Sequence, residues 1–419
     1  MRYDCEHILS IGAQPFTPLH LSHNDDLPHD IVLVLAYPYA IPPQRMVDSL
    51  QQGLASFPHL TGRLSQRPSD GGLSIVPCVQ PVQLQYNQLN QQFVPGSITS
   101  LSNAQRIARY APTTTTCVWS EKLDVERPML QARLTEYTQS ESSVLGLHVS
   151  HRAVDGAGLA MFLACCTAPL RQAEAPEPVH ARAQPDSSNT TALSLPFGYL
   201  QAPSAADAPP FPSEQHDLRD AVYFTLPITQ VTDLWHAASD RQARFALTAW
   251  LCSRLIEIEP SFQHIAIWCD SRGTAGIPRN YTGNTGCYLT LPAHPIDETN
   301  LARQLGSLAT RQGLRQIEQA TRSLQAAERM GQRVIWGKDP ADTLQVNLVP
   351  HAPDIVDFGG GPPIFGQLLT RNCSGLRVSV TPDGRYFLVE ACLPGGLGTR
   401  LASLCQALKR ADETMSKPR

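Results

Sequence analysis

The sequence predicts two lobes that each mix strands and helices, α/β or α+β in class. Three observations carry that prediction. Strand-like and helical runs alternate through both halves of the 419-residue chain, a pattern that fits neither an all-helical nor an all-β fold. A stretch from Pro169 to about Gln215, rich in Pro, Ala, Ser and Asp, has no sustained period, as linkers and functional loops do. The length suggests two or three domains at roughly 150 residues each.

Pro43 opens the first helical pattern, in which Val47, Leu50, Leu54 and Phe57 recur at helical spacing. Proline suits the first helical position, where its missing N–H has no partner to lose. Strand-like runs follow at Leu73 to Val76, Leu130 to Tyr137 and Val144 to Ser150, and Ala157 to Cys166 reads as a buried helix. In the second half Ala243 to Ile256 is helical, Gln263 to Cys269 is a buried strand, and Asn300 to Met330 carries one long helical pattern. Its apolar stripe begins with Leu301, Leu305 and Leu308. Strands return at Leu344 to Leu348, Leu376 to Val380 and Tyr386 to Glu390. The expected division is an N-terminal lobe over residues 1–175, a Pro-rich crossover over 176–215 and a C-terminal lobe over 216–419.

Composition narrows the function classes. Hydrophobic residues make up 42% of the chain and charged residues 17%, enough to bury a large core. Thirty-three Lys and Arg against thirty-seven Asp and Glu give a net charge of −4. That balance argues against a dedicated nucleic-acid binder, which needs a basic surplus, but allows a local basic patch for one phosphorylated partner. Nine of the thirty-five prolines fall between Pro169 and Pro212. Eleven cysteines without a Cys-x-x-Cys pair read as reduced core thiols. The acidic N-terminus lacks the basic start of a signal peptide, and the apolar run from Ile31 to Ile41 is too short to span a bilayer. The expected location is the cytoplasm.

The chemistry-bearing segment is Leu145-Gly-Leu-His-Val-Ser-His-Arg-Ala-Val-Asp-Gly-Ala-Gly. By strand alternation Leu145, Leu147, Val149 and His151 share one face, which puts His151 where the strand ends. An imidazole held there, just before Gly156 and Gly158, suits a general base because its ordinary pKa lies near working pH. Asp155, four residues on, fixes either the imidazole or the turn. A metal site of His148, His151 and Asp155 is poorly supported, since strand residues three apart face opposite sides. No Gly-x-Ser-x-Gly elbow occurs, which argues against a serine hydrolase. Near the C-terminus, Asp357-Phe-Gly-Gly-Gly-Pro-Pro lacks the companions of a kinase Asp-Phe-Gly and the Lys-Ser or Lys-Thr of a phosphate loop. A structural turn is its reading in isolation.

Together these two segments resemble the BAHD acyltransferase family, whose signatures are His-x-x-x-Asp-Gly in mid-chain and Asp-Phe-Gly-Trp-Gly toward the C-terminus. Weaker markers extend the resemblance over nearly the whole chain. Leu21-Ser22 with Asp25 looks like Leu-Ser-x-x-Asp, and Gly62-Arg63-Leu64 is similar to Ala-Gly-Arg-Leu. Asp270, Arg272, Pro278, Tyr281, Gly283 and Asn284 follow the family's Asp-x-Arg…Pro…Tyr-x-Gly-Asn order.

The resemblance implies two chloramphenicol-acetyltransferase-like lobes with mixed β-sheets, flanking helices and an active-site channel at their interface. It implies acyl transfer from an acyl-CoA to a hydroxyl or amine of a small metabolite, with acyl-CoA as co-substrate, no permanently bound cofactor, no metal and a monomeric enzyme. His151 becomes the general base, and no covalent intermediate forms. Asp155 pairs with Arg272 to fix geometry, while Gly156, Asp357 and Gly359 are structural. Two departures stand out. Gly360 replaces the family's tryptophan, and Asn347-Leu348 stand where plant members have Ser-Trp; Asn347 is the expected oxyanion donor, since an amide can serve. Arg241 and Arg244 lie where the family holds CoA, beside the plainer reading of two solvated arginines, and Asn284 is placed with the cofactor contacts. A condensation-type enzyme with a carrier-protein donor is the rival reading, although Ser150 stands where condensation domains carry a second histidine. A non-catalytic binding relative is the other.

Overall fold

The structure is a computed structural model. It describes residues 5–22, 25, 30–67, 72–94, 98, 101, 103–112, 128–182, 196, 199–202, 222–308, 310–330, 333–336, 342–348, 356–369, 375–393 and 396–415. In chain order the first strands are β1 (Cys5–Ile11), β2 (Leu19–His20), β3 (Asp30–Tyr37), β4 (Arg63–Gln66), β5 (Leu73–Val76), β6 (Val82–Leu89), β7 (Leu130–Tyr137) and β8 (Ser142–Ser150). Then come β9 (Tyr199–Ala202), β10 (Val222–Pro227), β11 (His264–Asp270), β12 (Gly286–Pro292), β13 (Arg333–Trp336), β14 (Thr343–Asn347), β15 (Phe365–Leu369), β16 (Gly375–Val380) and β17 (Tyr386–Cys392). The α-helices are α1 (Pro43–Ser56), α2 (Asn103–Tyr110), α3 (Gly156–Thr167), α4 (Ile228–Leu234), α5 (Asp240–Ile258), α6 (Glu298–Ser307), α7 (Arg311–Arg329) and α8 (Leu397–Met415).

Two compact units result. Unit 1 comprises Met1–Ala183, Pro278–Thr285 and His351–Arg371; unit 2 comprises Gln184–Ile277, Gly286–Pro350 and Asn372–Arg419. The division therefore departs from chain position, because two later segments belong to unit 1. One of them carries β15, which pairs antiparallel with β3. Of the expected crossover over 176–215, residues 183–195, 197–198 and 203–215 lie outside the described residues. Its start is built into unit 1, where Val179 makes a parallel bridge to Tyr281.

Unit 1 holds a six-stranded sheet in the order β1-β6-β7-β8-β3-β15, in which only the β6–β7 pair is parallel. Strand β3 shows why its sequence is apolar from Ile31 to Tyr37. Ile31, Leu33 and Leu35 join Leu145, Leu147 and Val149 of β8 on one face, against Leu50 and Leu54 of α1 and Phe162 of α3. Val32, Val34 and Ala36 pack on the other face with Ile107 and Tyr110 of α2. A strand buried on both faces reads as a continuous apolar run rather than an alternating one. Close packing of α1 on α3 requires Gly53, whose Cβ would collide with Cys166 and Phe162.

Unit 2 holds a second six-stranded sheet, β10-β17-β16-β14-β11-β12, parallel at β11–β14 and β14–β16. Ile265, Ile267, Leu344, Val346 and Val378 of its strands meet Leu251 and Leu255 of α5 in one core. The long helical pattern expected over Asn300 to Met330 is two helices. The Ser307 hydroxyl donates to the Gln304 carbonyl at 2.7 Å, and the Thr310 hydroxyl accepts from the Gly313 N–H at 3.4 Å. Such side-chain bonds stop one helix and cap the next. The nine described cysteines are free thiols, all buried except Cys5. Among the described residues no helix is long and apolar enough to cross a membrane.

The Asp-Phe-Gly-Gly-Gly segment is the turn that feeds β15 into the unit 1 sheet. Asp357 Oδ1 accepts from the N–H groups of Gly359, Gly360 and Gly361 at 2.7, 3.0 and 2.8 Å. Partial burial pushes the Asp357 carboxyl up, but these three bonds outweigh it and hold the group below its ordinary value. Gly359 and Gly361 have φ of 99° and 109°, where only glycine is unstrained. Phe358 is fully buried edge-on to Tyr37, with ring centroids 5.8 Å apart. The glycine at 360 has its own reason: a Cβ there would lie 2.7 Å from the Tyr39 ring. The Tyr39 hydroxyl in turn donates to the Gly361 carbonyl at 2.9 Å. Tyr39 thus occupies the ground on which a residue-360 side chain would begin.

Unit 1 also packs a buried imidazole, that of His59, against the half-buried one of His180. His59 is 2% exposed, its ring centroid 4.7 Å from that of His180 and 5.9 Å from that of Phe57. The His180 ring bonds the Thr282 hydroxyl at 3.0 Å and the Ser56 carbonyl at 2.7 Å. Burial holds His59 well below the usual histidine range, and the charges of His180 and Arg182 act in the same direction. His180 is lowered too, chiefly by burial.

Two outcomes are expected. Gly360→Trp should cost about 1–3 kcal/mol by overpacking, and a smaller cost in a Tyr39→Ala background, read from urea midpoints, would show that the two residues compete for one space. Equal costs in both backgrounds would refute it. For the imidazole pair, the unfolded chain takes up protons below about pH 6.5 while the folded rings stay neutral, so stability is present above that pH and lost as it falls. His59→Leu should flatten this acid loss; an unchanged slope of stability against pH would exclude His59 as its source.

Candidate active site

His151 follows the last residue of β8. The strand is anchored on both sides, by β7 and β3, and its inward residues Leu145, Leu147 and Val149 lie in the core. The chain turns at once, with Ala153 N–H donating to the Ser150 carbonyl at 3.0 Å, and α3 begins at Gly156. Asp155 is the N-cap of that helix, accepting from the Gly158 N–H at 2.9 Å, a bond that satisfies one orphan donor of the first turn. So the aspartate fixes the turn. Gly156 has open space where a Cβ would stand, whereas a Cβ on Gly158 would come within 2.5 Å of the Thr282 carbonyl.

Behind the turn lies Asp25, fully buried. Its Oδ2 accepts from the Ser22 N–H at 3.0 Å and the Ser22 hydroxyl at 2.8 Å, and stands 3.3 Å from Arg182 Nε. Its Oδ1 accepts from the Asn284 N–H at 2.9 Å and from Asn284 Nδ2 at 3.2 Å. Asn284 Nδ2 also donates to the main-chain carbonyl of His151 at 2.6 Å. Arg182 Nη2 donates to the Ala153 carbonyl at 2.8 Å, and its guanidinium carbon lies 5.7 Å from the centre of the Tyr281 ring. The main chain on either side of Arg152 is therefore held by side chains from two distant segments. A charge this buried requires such pairing.

Burial lowers the proton affinity of the half-buried His151 ring. Asp155, the His151 carbonyl, the Asn284 side chain and Asp30 each raise it, yet burial prevails and the ring titrates below its ordinary value. It is neutral at physiological pH and can accept a proton. His148 bonds Asp30 at 2.7 Å. Among the described residues, no group of three His, Cys, Asp or Glu is placed to hold a metal ion.

Of the residues singled out from sequence, unit 1 brings together His151, Asp155, Gly156 and Asn284, and holds Asp357 and Gly359 in the turn described above. Asn284, expected among the cofactor contacts, is 4% exposed and directs its amide to Asp25 and His151. Unit 2 holds the others. Arg272 Nη1 bonds Asp270 at 2.9 Å, and that carboxylate also accepts the Arg272 N–H. Asn347 ends β14, half-buried between Trp268 and Arg377 in register. Arg241 and Arg244 lie near the start of α5. The Arg241 guanidinium covers the Phe245 ring at 5.6 Å, while burial, together with the charge of Arg241, weakens proton binding by Arg244. Sequence reading missed Arg182 and His180, which sit in the aperiodic Pro-rich stretch, and used Asp25 only as a marker.

The chain matches the family model described as Transferase family over residues 15–250. No curated protein matches it in sequence. The structure of TRI101 of F. sporotrichioides complexed with coenzyme A and T-2 is similar, with TM-score 0.68, 17% identity and coverage of 91% of this chain and 96% of that one. Vinorine synthase gives 0.67 at 17% identity, covering 96% of both chains. The first condensation domain of the calcium-dependent antibiotic synthetase, in complex with substrate analogue 2a, gives 0.61 at 15% identity, covering 94% and 95%. At such identities the likeness is one of fold, the two-lobed mixed α/β fold expected from the sequence. With more than half of its length matched by the family model, the chain belongs to the Transferase family, the BAHD acyltransferases.

Proposed function

We propose that this acyltransferase moves an acyl group from an acyl-CoA thioester to a hydroxyl or amine of a small metabolite, with His151 as general base. The observation that carries the proposal is a neutral imidazole at the end of a buried strand, its main-chain carbonyl clamped by Asn284. His151 takes the proton from the acceptor O–H or N–H as that atom's lone pair attacks the thioester carbonyl carbon. The tetrahedral oxyanion collapses, the C–S bond breaks, and the imidazolium returns its proton to the departing CoA thiolate. No bond to the enzyme forms. The TRI101 structures complexed with coenzyme A support CoA as the donor. The roles that the family resemblance implies for Asn347, Arg241, Arg244 and Arg272 are part of the same proposal, as is a structural role for Asp155, Gly156, Asp357 and Gly359.

A carrier-protein thioester is the second reading, favoured by the likeness to the condensation domain. Ser150, in place of a second histidine, weighs against it.

A thiol-release screen of the purified protein across acyl-CoA lengths and acceptor pools tests the proposal. CoA-dependent turnover is the expected result, and transfer from an acyl-carrier thioester alone would move the assignment to the second reading. His151→Ala, checked for folding, should lower kcat/KM by about 10²- to 10⁴-fold; a loss of only a few-fold would remove His151 as the base. Because the base must be neutral and burial lowers its proton affinity, activity should persist as pH falls to 6.5 and be lost only below it. An acid limb of kcat/KM above pH 6.5, the ordinary histidine value, would contradict this assignment.

A further inference from the structure

Cys269 near the end of β11 and Cys287 near the start of β12 stand directly opposite each other in an antiparallel ladder. Residues paired in this way share one face of a sheet, and both thiols lie in the unit 2 core, Cys269 6% exposed and Cys287 fully buried. Ala293 N–H donates to the Gln263 carbonyl at 2.9 Å, one step beyond the His264–Pro292 pair. Hydrogen-bonded pairs recur at every second residue, so Cys269 and Cys287 form one, with Cα atoms about 5.5 Å apart. That separation lies inside the range a disulfide spans, but the Cβ atoms must close to about 3.5–4.5 Å. Bridging is therefore possible, and it pulls the two strand ends together. The thiols are not equivalent. Cys269 Sγ donates to the Ile267 carbonyl at 3.6 Å. Burial pushes the Cys287 thiol up to about 11, while hydrogen bonds with Thr321 and Ser271 act to lower it; burial pushes Cys269 higher still. The two hydroxyls also bond each other at 2.7 Å. A thiol packed only as a small apolar group needs no such neighbours.

We propose that Cys269 and Cys287 are a redox pair, which a low-molecular-weight disulfide such as glutathione disulfide closes into a cross-strand disulfide that loosens the hold of Asn284 on His151. The thiolate of Cys269, the more exposed member, attacks one sulfur of the small disulfide, whose S–S bond breaks with loss of one thiolate. The Cys287 thiolate then attacks the Cys269 sulfur of the mixed disulfide and displaces the second. Two protein thiols lose two electrons and two protons, and one small disulfide becomes two small thiols. The link to the site runs along the chain. Asn284 is three residues before Cys287, and Thr285 between them is 3% exposed. At Gly286 a Cβ would collide with the Trp268 ring and the Cys269 carbonyl. A segment packed this closely does not absorb movement of Cys287, so the pull reaches the Asn284 N–H and amide, which hold Asp25 and the His151 carbonyl. A disulfide forced on a hydrogen-bonded pair is strained, and strained disulfides are the readily reduced, regulatory ones. The consequence for turnover rests on the general-base reading of His151; the cross-link and its effect on Asn284 do not.

To test this, reduced wild-type protein is incubated with oxidised glutathione, alkylated and mapped by peptide mass spectrometry, and hydrogen exchange of peptides covering 280–286 is read on the same samples. The expected result is a Cys269–Cys287 disulfide with faster exchange at the Asn284 N–H, both reversed by dithiothreitol. Glutathione held on Cys269 alone, no disulfide between these two residues, or a mapped disulfide with unchanged exchange would each overturn the inference. Cys287→Ser should stop at the mixed disulfide on Cys269 and keep Asn284 protected; if that variant does not fold, the wild-type map and exchange decide. In the transferase assay the cross-linked protein should lose up to about 100-fold in kcat through misplacement of the base and recover on reduction. An undiminished kcat in fully cross-linked protein would sink the link to the site. Failure of the general-base reading shows separately, as an active His151→Ala, and leaves the exchange test standing.

Discussion

The carboxylate of Asp25 is the constraint on which the organisation of the candidate site depends. A fully buried charge costs several kcal/mol of desolvation unless its lone pairs are met, and the chain meets them from three directions. Ser22 supplies two donors, Asn284 supplies two, and Arg182 supplies the opposite charge. Those three residues lie far apart in sequence, so satisfying one carboxylate draws Ser22, Arg182 and Asn284 together around Asp25 behind the end of β8. Asn284 and Arg182 then spend further donors on the carbonyls of His151 and Ala153. The same bonds that neutralise the charge fix the main chain on which the imidazole sits.

That fixation would matter little on a mobile strand. Strand β8 lies between β7 and β3 in the interior of a six-stranded sheet covered on both faces. Its end is paired on both sides, and the turn that follows is capped and closely packed: Asp155 caps α3 at once, and Gly158 has no room for a Cβ against the Thr282 carbonyl. Catalytic geometry of this kind is most accurate when the reacting side chain leaves a regular element and its neighbours are locked by packing.

The element most plainly visible in sequence is α1, where Val47, Leu50, Leu54 and Phe57 recur at the helical period. The runs ending at Tyr137 and Ser150 mark β7 and β8 by their composition, since both strands are buried at nearly every position. The run Ile31–Tyr37 is buried in the same way and shows in sequence only as an apolar stretch. The continuous pattern over Asn300 to Met330 concealed a break, because caps by Ser307 and Thr310 interrupt the backbone without interrupting the apolar stripe. At the site, His151 and Asp155 were visible because strand, turn and helix meet there within a few residues. Arg182 was not. Its partners are Asp25 and Ala153, distant in the chain, and nothing in a Pro-rich stretch marks which arginine will be buried. The placement of β15 in unit 1 was hidden in the same way, because strand pairing across hundreds of residues leaves no local signature.

The electrostatics of His151 show how opposing effects set a usable base. Burial alone would drive the ring far toward neutrality and make it a poor proton acceptor. Two carboxylates, Asp155 and Asp30, and two hydrogen-bond acceptors, the His151 carbonyl and the Asn284 side chain, pull the other way without winning. The outcome is a ring that is unprotonated at working pH yet keeps enough proton affinity to accept a proton during attack, the compromise that general-base catalysis favours. His59 provides the contrast within the same unit. It is buried beside His180 and Arg182, whose charges add to the effect of burial, with the Ala153 carbonyl alone in opposition. The same imidazole is therefore a core residue at 59 and a candidate base at 151, and what separates them is the sign of the charges packed around each ring.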